Sequence, residues 1–242
     1  MTADRVLLYE QPPLRQVSGG AIRPGGLELT DYALDFCGLA AGAWALDAGC
    51  GQGVTVEHLI SRRHMHAIGI DPSAVLLHSG QQREPNLPLV QGVGEALPVA
   101  PDYFDVVLAE CTLSLMDMET ALAEFGRVLR TDGWLIVTDL YVRHPEQMNA
   151  LQDLPVRSCL GGAIPRETLL ERVRAQGFTV RLWEDHTETL KVFAARLIWE
   201  HGSLAQFWQC AVPQTSNRLE TAITLAKPGY YLLIAQKDHR KK

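Results

Sequence analysis

The chain has 242 residues, of which 47% are hydrophobic and 21% are charged. This composition is typical of globular proteins and argues against a disordered or fibrous chain. Because 22 basic and 28 acidic residues give a net charge of -6, we expect neither nucleic acid nor an anionic membrane surface as a partner.

The apolar segments and the cysteines exclude further classes of protein. The longest apolar candidate, residues 36–46, is about half as long as a membrane helix requires, and the first residues show no secretory signal, so we expect a cytoplasmic protein. Cysteines occur at positions 37, 50, 111, 159 and 210 without a C-x-x-C pair. This spacing predicts neither a disulfide framework nor a metal site.

The first half of the chain has the pattern of a parallel sheet. Residues 1–26 are rich in Pro and Gly and predict an irregular arm, followed by a helix from Leu27 that ends near Gly38. Short apolar runs then alternate with helical patterns, which is typical of βαβ units. The predicted strands cover residues 43–48, 66–72, 87–92, 104–110 and 134–140.

The order of elements changes after residue 145. We predict a helix from Pro165 that ends at Gly177, a strand over 178–184, a long helix over 187–208 and a final strand over 230–236. These elements give one α/β domain: an arm (1–26), a core (27–145), two segments that complete the sheet (146–186 and 227–236) and a helical lid (187–226).

A glycine-rich turn carries most of the chemical information. Residues 46–53 read LDAGCGQG, a strand that runs through three alternating glycines into a helix, and Asp71 ends the next strand. Glycines let a ligand approach bare backbone, and a carboxylate at the second strand end is placed to accept both hydroxyls of a ribose. The pattern therefore predicts a nucleoside site.

The residue before the turn distinguishes two ligand classes. Dinucleotide folds use G-x-G-x-x-G, whereas this chain has G-x-G-x-G preceded by Asp47. A carboxylate there would repel a pyrophosphate but suits a ligand that carries an ammonium and a sulfonium. We therefore favour S-adenosylmethionine as the cofactor, and an NAD(P)-dependent oxidoreductase is the alternative.

Four sequence blocks in register resemble the class I S-adenosylmethionine-dependent methyltransferases, and most of all the menaquinone and ubiquinone biosynthesis C-methyltransferases. The blocks are LDAGCGQG (46–53), IGIDPS (68–73), GVGEALPVAPDYFDVV (92–107) and RVLRTDGWLIVTD (127–139). The resemblance implies a Rossmann-like, doubly wound sheet of seven strands, mostly parallel with the last strand antiparallel. It also implies methyl transfer to a small-molecule acceptor by in-line displacement.

The resemblance assigns residues to each part of the methyl donor. Around the methionine part it places Asp47, Gly49, Gly51 and Gly53. Asp71 would hold the ribose, and Pro72 and Ser73 would border the adenine. The loop that closes over the base would comprise Gly94, Glu95, Ala96 and Leu97, while Glu110 and Cys111 would face the transferred methyl group.

Val93 departs from the family's usual pattern near the donor, and Arg23 has two possible roles there. The family usually has G-D-A-E where this chain has Gly92-Val93-Gly94-Glu95, so the carboxylate that bonds the adenine amino group is replaced by Val93. The loss of one hydrogen bond weakens binding by roughly 0.5–1.5 kcal/mol without excluding it. Arg23 is predicted either to meet the donor's carboxylate or to be an ordinary surface arginine.

Candidate catalytic residues are Glu110, Tyr141 and His144, at or after strand ends. A structural ion pair is the alternative for Glu110, and a surface position is the alternative for the other two. Convergence of Cys111, Cys159 and Cys210 would favour a thiol or arsenite acceptor. A module that binds the donor without catalysis is a further alternative, and the sequence predicts neither the acceptor's identity nor the oligomeric state.

Overall fold

A computed structural model describes residues 6–11, 23–152, 154, 156–213 and 216–238. Its centre is a seven-stranded sheet. The strands of the sheet are β2 (Trp44–Ala48), β3 (His66–Asp71), β4 (Leu89–Gln91), β5 (Phe104–Glu110), β6 (Leu129–Tyr141), β8 (Phe178–Asp185) and β9 (Gly229–Lys237). Two short strands, β1 (Val6–Leu7) and β7 (Val156–Arg157), pair with each other in parallel.

The helices are α1 (Gly26–Phe36), α2 (Val54–Ser61), α3 (Ala74–Arg83), α4 (Met118–Val128), α5 (Met148–Gln152), α6 (Arg166–Ala175), α7 (Thr187–His201), α8 (Leu204–Ala211) and α9 (Ser216–Ala226). In α4 the apolar residues fall on one face, and Asp117 caps its first turn by accepting a bond from the Thr120 N–H at 3.0 Å. The strand and helix types therefore follow the predicted periodicities.

The spatial order of the sheet is β4-β3-β2-β5-β6-β9-β8. The first five strands run parallel, and β9 runs antiparallel to both of its neighbours, β6 and β8. This arrangement confirms the predicted mostly parallel sheet with an antiparallel last strand. The order reverses between β2 and β5, where open α/β sheets place their ligands.

Each central strand is buried on both faces. Along β9, Leu232 and Ile234 pack into one apolar cluster, while Tyr231 and Leu233 pack into the other. Continuous apolar strands are typical of parallel sheets that helices cover on both sides. Among the described residues, no helix combines the length and the apolar character needed to cross a membrane.

Three elements differ from the predictions. β6 begins at Leu129 instead of residue 134, because Leu129 already pairs with Phe104; an irregularity in which Asp132 has a left-handed φ of 61° precedes the pairing of Trp134 with Val106. The single helix predicted over 187–208 is two helices, since Gly202 has a φ of 83° and Ser203 caps α8. Residues 6–11 of the predicted irregular arm form β1 and a 3₁₀ turn, and residues 1–5 and 12–22 lie outside the described residues.

Candidate functional site

The glycine turn between β2 and α2 is fastened to the end of β3. The N–H groups of Gly49 and Cys50 both donate to the Ile70 carbonyl, at 2.7 and 3.1 Å. Gly49 has a φ of 87°, and a Cβ there would lie 2.3 Å from the side chain of Thr112. Because both the backbone angle and the space require glycine, the turn keeps its backbone bare.

Asp71 ends β3 opposite this turn. Its two carboxylate oxygens accept bonds from the Gly51 N–H at 2.9 Å and from the Ser73 N–H at 2.8 Å. Burial raises the pKa of Asp71, although these two bonds oppose that change. Each oxygen retains a lone pair, so the carboxylate can still accept two ligand hydroxyls.

A first pocket of about 300 Å³ opens at these strand ends. This volume lies within the range of small-molecule sites. Many of the residues predicted to bind the methyl donor line it: Arg23, Gly49, Gly51, Asp71, Pro72, Gly94, Glu95, Glu110 and Cys111. The lining does not include Asp47, Gly53, Ala96, Leu97, Tyr141 or His144.

Glu110 lies at the floor of the first pocket within a buried polar network. Its carboxylate accepts hydrogen bonds from the Thr30 and Thr55 hydroxyls, at 2.7 and 3.1 Å. The Arg23 guanidinium forms an ion pair with it at 2.9 Å and also donates to the Thr30 hydroxyl. The structural ion pair considered for Glu110 is therefore present, and it engages the Nη2 atom of the Arg23 guanidinium.

Asp47 lies beneath the turn and is only 3% exposed. Burial and then the nearby Glu110 raise the pKa of Asp47 to about 8, although Arg23 opposes them. The carboxyl is thus largely protonated at neutral pH unless a cation approaches. A ligand ammonium is such a cation, so this position still suits the donor predicted from the sequence.

The remaining loop residues serve local structure. Glu95 accepts a bond from the Asp117 N–H at 2.8 Å, which links its loop to α4. The Leu97 N–H donates to Glu124 at 2.9 Å, and Ala96 closes a turn on the Val93 carbonyl. Gly53 is the N-terminal cap of α2, where a Cβ would lie 2.8 Å from Leu89.

Tyr141 and His144 do not meet the pockets. The Tyr141 hydroxyl bonds to Asp185, and its ring packs edge-on against Trp183. His144 has its side chain 47% exposed, at 3.3 Å from Glu146. Neither residue is among those that line the two pockets, so the geometry gives no support to their predicted catalytic roles.

Several residues that line the first pocket were not predicted, and Tyr9 and Glu10 are the most distant of them in sequence. Tyr9 and Glu10 come from the short segment after β1, and the Ser73 hydroxyl donates to Glu10 at 2.6 Å beside Asp71. No motif marks them, because they lie in the part of the arm that was set aside as irregular. The pairing of β1 with β7, which brings this segment to the pocket, joins residues about 150 positions apart.

Two of the three cysteines considered as a cluster lie together. Cys111 and Cys159 lie together in the core, where the Cys111 thiol also donates to the Tyr230 hydroxyl at 3.6 Å. The bond with Cys159, and then burial, raise the pKa of the Cys111 thiol well above its ordinary value. Cys210 is exposed on α8, so the three cysteines do not converge and the thiol or arsenite alternative loses its structural basis.

A second pocket of about 170 Å³ adjoins the first, and Tyr9 and Cys111 line both. Its walls are almost entirely apolar and come from the 3₁₀ turn after β1, the segment after β7, and helices α7, α8 and α9. Cys111, at the junction, has a left-handed φ of 58°. Strained non-glycine residues of this kind concentrate at functional sites.

Comparison with known proteins agrees with this geometry. The family described as "Methyltransferase domain" matches residues 46–137. An uncharacterized methyltransferase of Bacillus subtilis, YodH, is 30% identical over 126 residues, covering 50% of this chain and 54% of that protein. The ubiquinone/menaquinone biosynthesis C-methyltransferase UbiE of Campylobacter jejuni is 27% identical over 104 residues, covering 40% and 44%.

The chain thus spans about half the length of the curated relatives it matches. Among solved structures, the [4+2]-cyclase SpnF is similar at a TM-score of 0.67 and 26% identity, covering 87% of this chain and 80% of that one. A second is phosphoethanolamine N-methyltransferase 2 of Haemonchus contortus in complex with S-adenosyl-L-methionine. Its TM-score is 0.74 at 19% identity, covering 94% and 56%, which shows a shared fold.

These matches agree with the four sequence blocks and with the position of the pocket at the reversal of strand order. Residues 46–137 therefore match the family described as a methyltransferase domain, and the chain is similar to proteins named as methyltransferases over about half of their length.

Proposed function

We propose that this protein transfers the methyl group of S-adenosylmethionine to a small-molecule acceptor. The observation that carries the proposal is the pairing of Asp71 with the bare-backbone turn at Gly49 and Gly51 on one wall of the first pocket. Asp71 keeps lone pairs for the ribose hydroxyls, and a Cβ at Gly49 would fill the space beside Thr112. The residues present therefore fit the donor.

Residues that line the first pocket, together with the buried Asp47 beneath the turn, suit the separate parts of the donor. Asp47 and the glycine turn would hold the methionine part, because its ammonium favours the ionised form of a buried carboxyl. Pro72 and Val93 would border the adenine with apolar surface. When bound, the donor supplies a sulfonium methyl group, which is a strong electrophile.

The chain's own contribution is alignment and exclusion of water. Tyr9 and Cys111 stand where the two pockets meet, so the methyl group would pass beside them. Burial raises the pKa of Tyr9 and of Tyr230 well above the ordinary value, and the pKa of Cys111 is raised as well. These groups stay neutral at pH 7 and can donate hydrogen bonds, so catalysis here is mainly positioning.

Calorimetry with S-adenosylhomocysteine tests the donor site. We expect Asp71→Ala to weaken binding at least about 100-fold, because it removes two bonds to a charged acceptor worth roughly 1.5–3 kcal/mol each. Asp71→Asn keeps an oxygen that can accept the bond from the Gly51 N–H. It therefore distinguishes the effect of losing the charge from the effect of losing the bond that holds the turn. Glu188→Gln, on an exposed ion pair of α7, is the matched control and should bind as the unmodified protein does.

Two results would contradict the donor site. One is equal affinity of the unmodified protein and Asp71→Ala for S-adenosylhomocysteine. The other is binding of NADH in its place, which would favour the oxidoreductase alternative.

Donor binding without methyl transfer is the second candidate. One similar structure, at 26% identity, is named as a [4+2]-cyclase and not as a methyltransferase, which makes this candidate worth testing. Incubation of the protein with a metabolite extract and methyl-labelled donor separates the two. Transfer of label to an extract component supports methylation, whereas tight donor binding without any labelled product supports the second candidate.

A further inference from the structure

The second pocket has the composition of a site for an apolar molecule. Helix α7 contributes Phe193 and Leu197 to its wall, and helix α8 contributes Phe207 and Trp208. None of the described residues that line it carries a charged side chain. A charged or strongly polar ligand would lose its hydration here without compensation, so the pocket selects against one.

One polar atom in this wall has no partner. The Ser158 hydroxyl, in a residue only 2% exposed, has no hydrogen-bond partner among the described residues. Thr138 carries the other buried hydroxyl of this kind, but it belongs to β6 and lines neither pocket. A buried hydroxyl without a hydrogen-bond partner is unfavourable. Its presence in the wall of a pocket points to a ligand atom that forms the missing hydrogen bond.

The second pocket is also in the right place for the methyl acceptor. It shares Tyr9 and Cys111 with the first pocket, so a molecule inside it would lie next to the donor's transferable group. Its volume of about 170 Å³ is close to that of an engineered protein cavity, about 150 Å³, that binds benzene. The space therefore suits a single ring or a small bicyclic molecule and is too small for a long hydrocarbon chain.

We propose that the second pocket is the acceptor site and takes a compact apolar molecule with one hydroxyl or carbonyl group, which bonds to Ser158. This inference rests on the proposed function, because it takes the first pocket as the donor site. It narrows the acceptor from small molecules in general to uncharged molecules of about the size of a substituted benzene. Ser158 is then a specificity-determining residue.

The test uses p-cresol and toluene, which differ by one hydroxyl group, as probes of the protein saturated with S-adenosylhomocysteine. Binding is followed by NMR titration. We expect p-cresol to bind more tightly than toluene and Ser158→Ala to weaken p-cresol about 2- to 10-fold, while toluene is unchanged. This pattern isolates the hydrogen bond, because a packing defect would weaken both probes.

A second variant tests the location. Ala194 lines the pocket from α7, whereas its neighbour Ala195 is exposed, so Ala194→Trp should abolish binding of both probes and Ala195→Trp should not. S-adenosylhomocysteine should bind all variants equally.

Three outcomes would overturn the proposal: absence of p-cresol binding to the unmodified protein, equal binding to Ala194→Trp, or tighter binding of 1-dodecanol than of p-cresol. Failure of S-adenosylhomocysteine to bind the unmodified protein would instead contradict the proposed function, so the two failures are distinguishable.

Discussion

The two pockets are built in opposite ways. The first is formed largely by short segments at the ends of neighbouring strands, with the turn at 49–53 bonded directly to β3 through the Ile70 carbonyl. The second collects its wall from distant parts of the chain, including the turn after β1, Ser158 after β7 and helices α7 to α9. Carboxylates and bare backbone characterise the first, whereas the second is apolar.

The difference shows which part of the molecule is free to vary. The first pocket depends on backbone geometry. There is no room for a side chain at Gly49, and the Asp71 carboxylate holds the turn by accepting a hydrogen bond from the Gly51 N–H. The second pocket depends on side chains of helices α7 to α9. These side chains can be exchanged without changing the parallel strands. We therefore expect changes in α7 to α9 to alter the acceptor and changes near the turn to alter the donor.

The largest expected effect on stability comes from Arg23→Met, a change in the wall of the first pocket. Arg23 and Glu110 form a buried ion pair, with side chains 9% and 3% exposed. Removal of one partner from such a pair leaves an uncompensated charge and costs about 3–5 kcal/mol. We expect the unfolding free energy, measured by denaturant titration at pH 7, to fall by about that amount.

The double variant Arg23→Met with Glu110→Gln is the control. We expect it to recover most of the stability, because the unpaired charge is gone. Its affinity for S-adenosylhomocysteine should stay about 10-fold reduced, since Arg23 lines the first pocket and, among the described residues, Glu110 and Thr30 contact the same one of its two terminal nitrogens. Full recovery of affinity would show that Arg23 has no role toward the donor.

A smaller, pH-dependent effect is expected from Asp47→Asn. Burial and Glu110 raise the pKa of Asp47 from an ordinary 3.8 to about 8. A group whose pKa is raised on folding stabilises the protein below its unfolded pKa, and this stability is lost as pH rises through the folded pKa. Between pH 5 and 7 the unmodified protein should therefore lose stability relative to Asp47→Asn, by at most about 1.4 kcal/mol per pH unit.

Parallel denaturant titrations at pH 5, 6 and 7 measure this difference, and a constant offset between the two proteins would contradict it. Donor binding gives a second readout. A cationic donor favours the ionised form of Asp47, so binding at pH 7 should release a proton. Calorimetry in two buffers with different ionisation enthalpies should detect this release in the unmodified protein and less of it in Asp47→Asn.

The contrast between the pockets also explains how much could be predicted from the sequence. The strands of the parallel sheet were predictable, because continuous apolar runs such as β5 are buried on both faces. The Gly49 turn and Asp71 were predictable too, since they act through residues close in sequence and at adjacent strand ends. The break at Gly202 was missed because the apolar periodicity continues on both sides of it.

Residues that meet only through distant pairing were not predictable. Tyr9 and Glu10 reach the first pocket through the pairing of β1 with β7, and Ser158 acquires its importance only from the apolar residues around it. The periodicity also does not show which way Tyr141, at the end of β6, directs its hydroxyl, which bonds to Asp185. Local patterns thus predict the first pocket better than the second.

The smallest effect is a gain of affinity from Val93→Asp. Val93 lines the first pocket and is 42% exposed, at the position where the methyltransferases that this chain resembles usually have an aspartate that bonds the adenine amino group. A restored hydrogen bond is worth roughly 0.5–1.5 kcal/mol, so S-adenosylhomocysteine should bind about 2- to 10-fold more tightly. S-inosylhomocysteine, which has a carbonyl in place of the amino group, should gain less, because its oxygen cannot donate to the new carboxylate and its ring N1–H lies at a different position. Equal gains for both ligands would mean that the added charge acts on the cationic part of the ligand, and no change for either would mean that the adenine lies elsewhere in the first pocket.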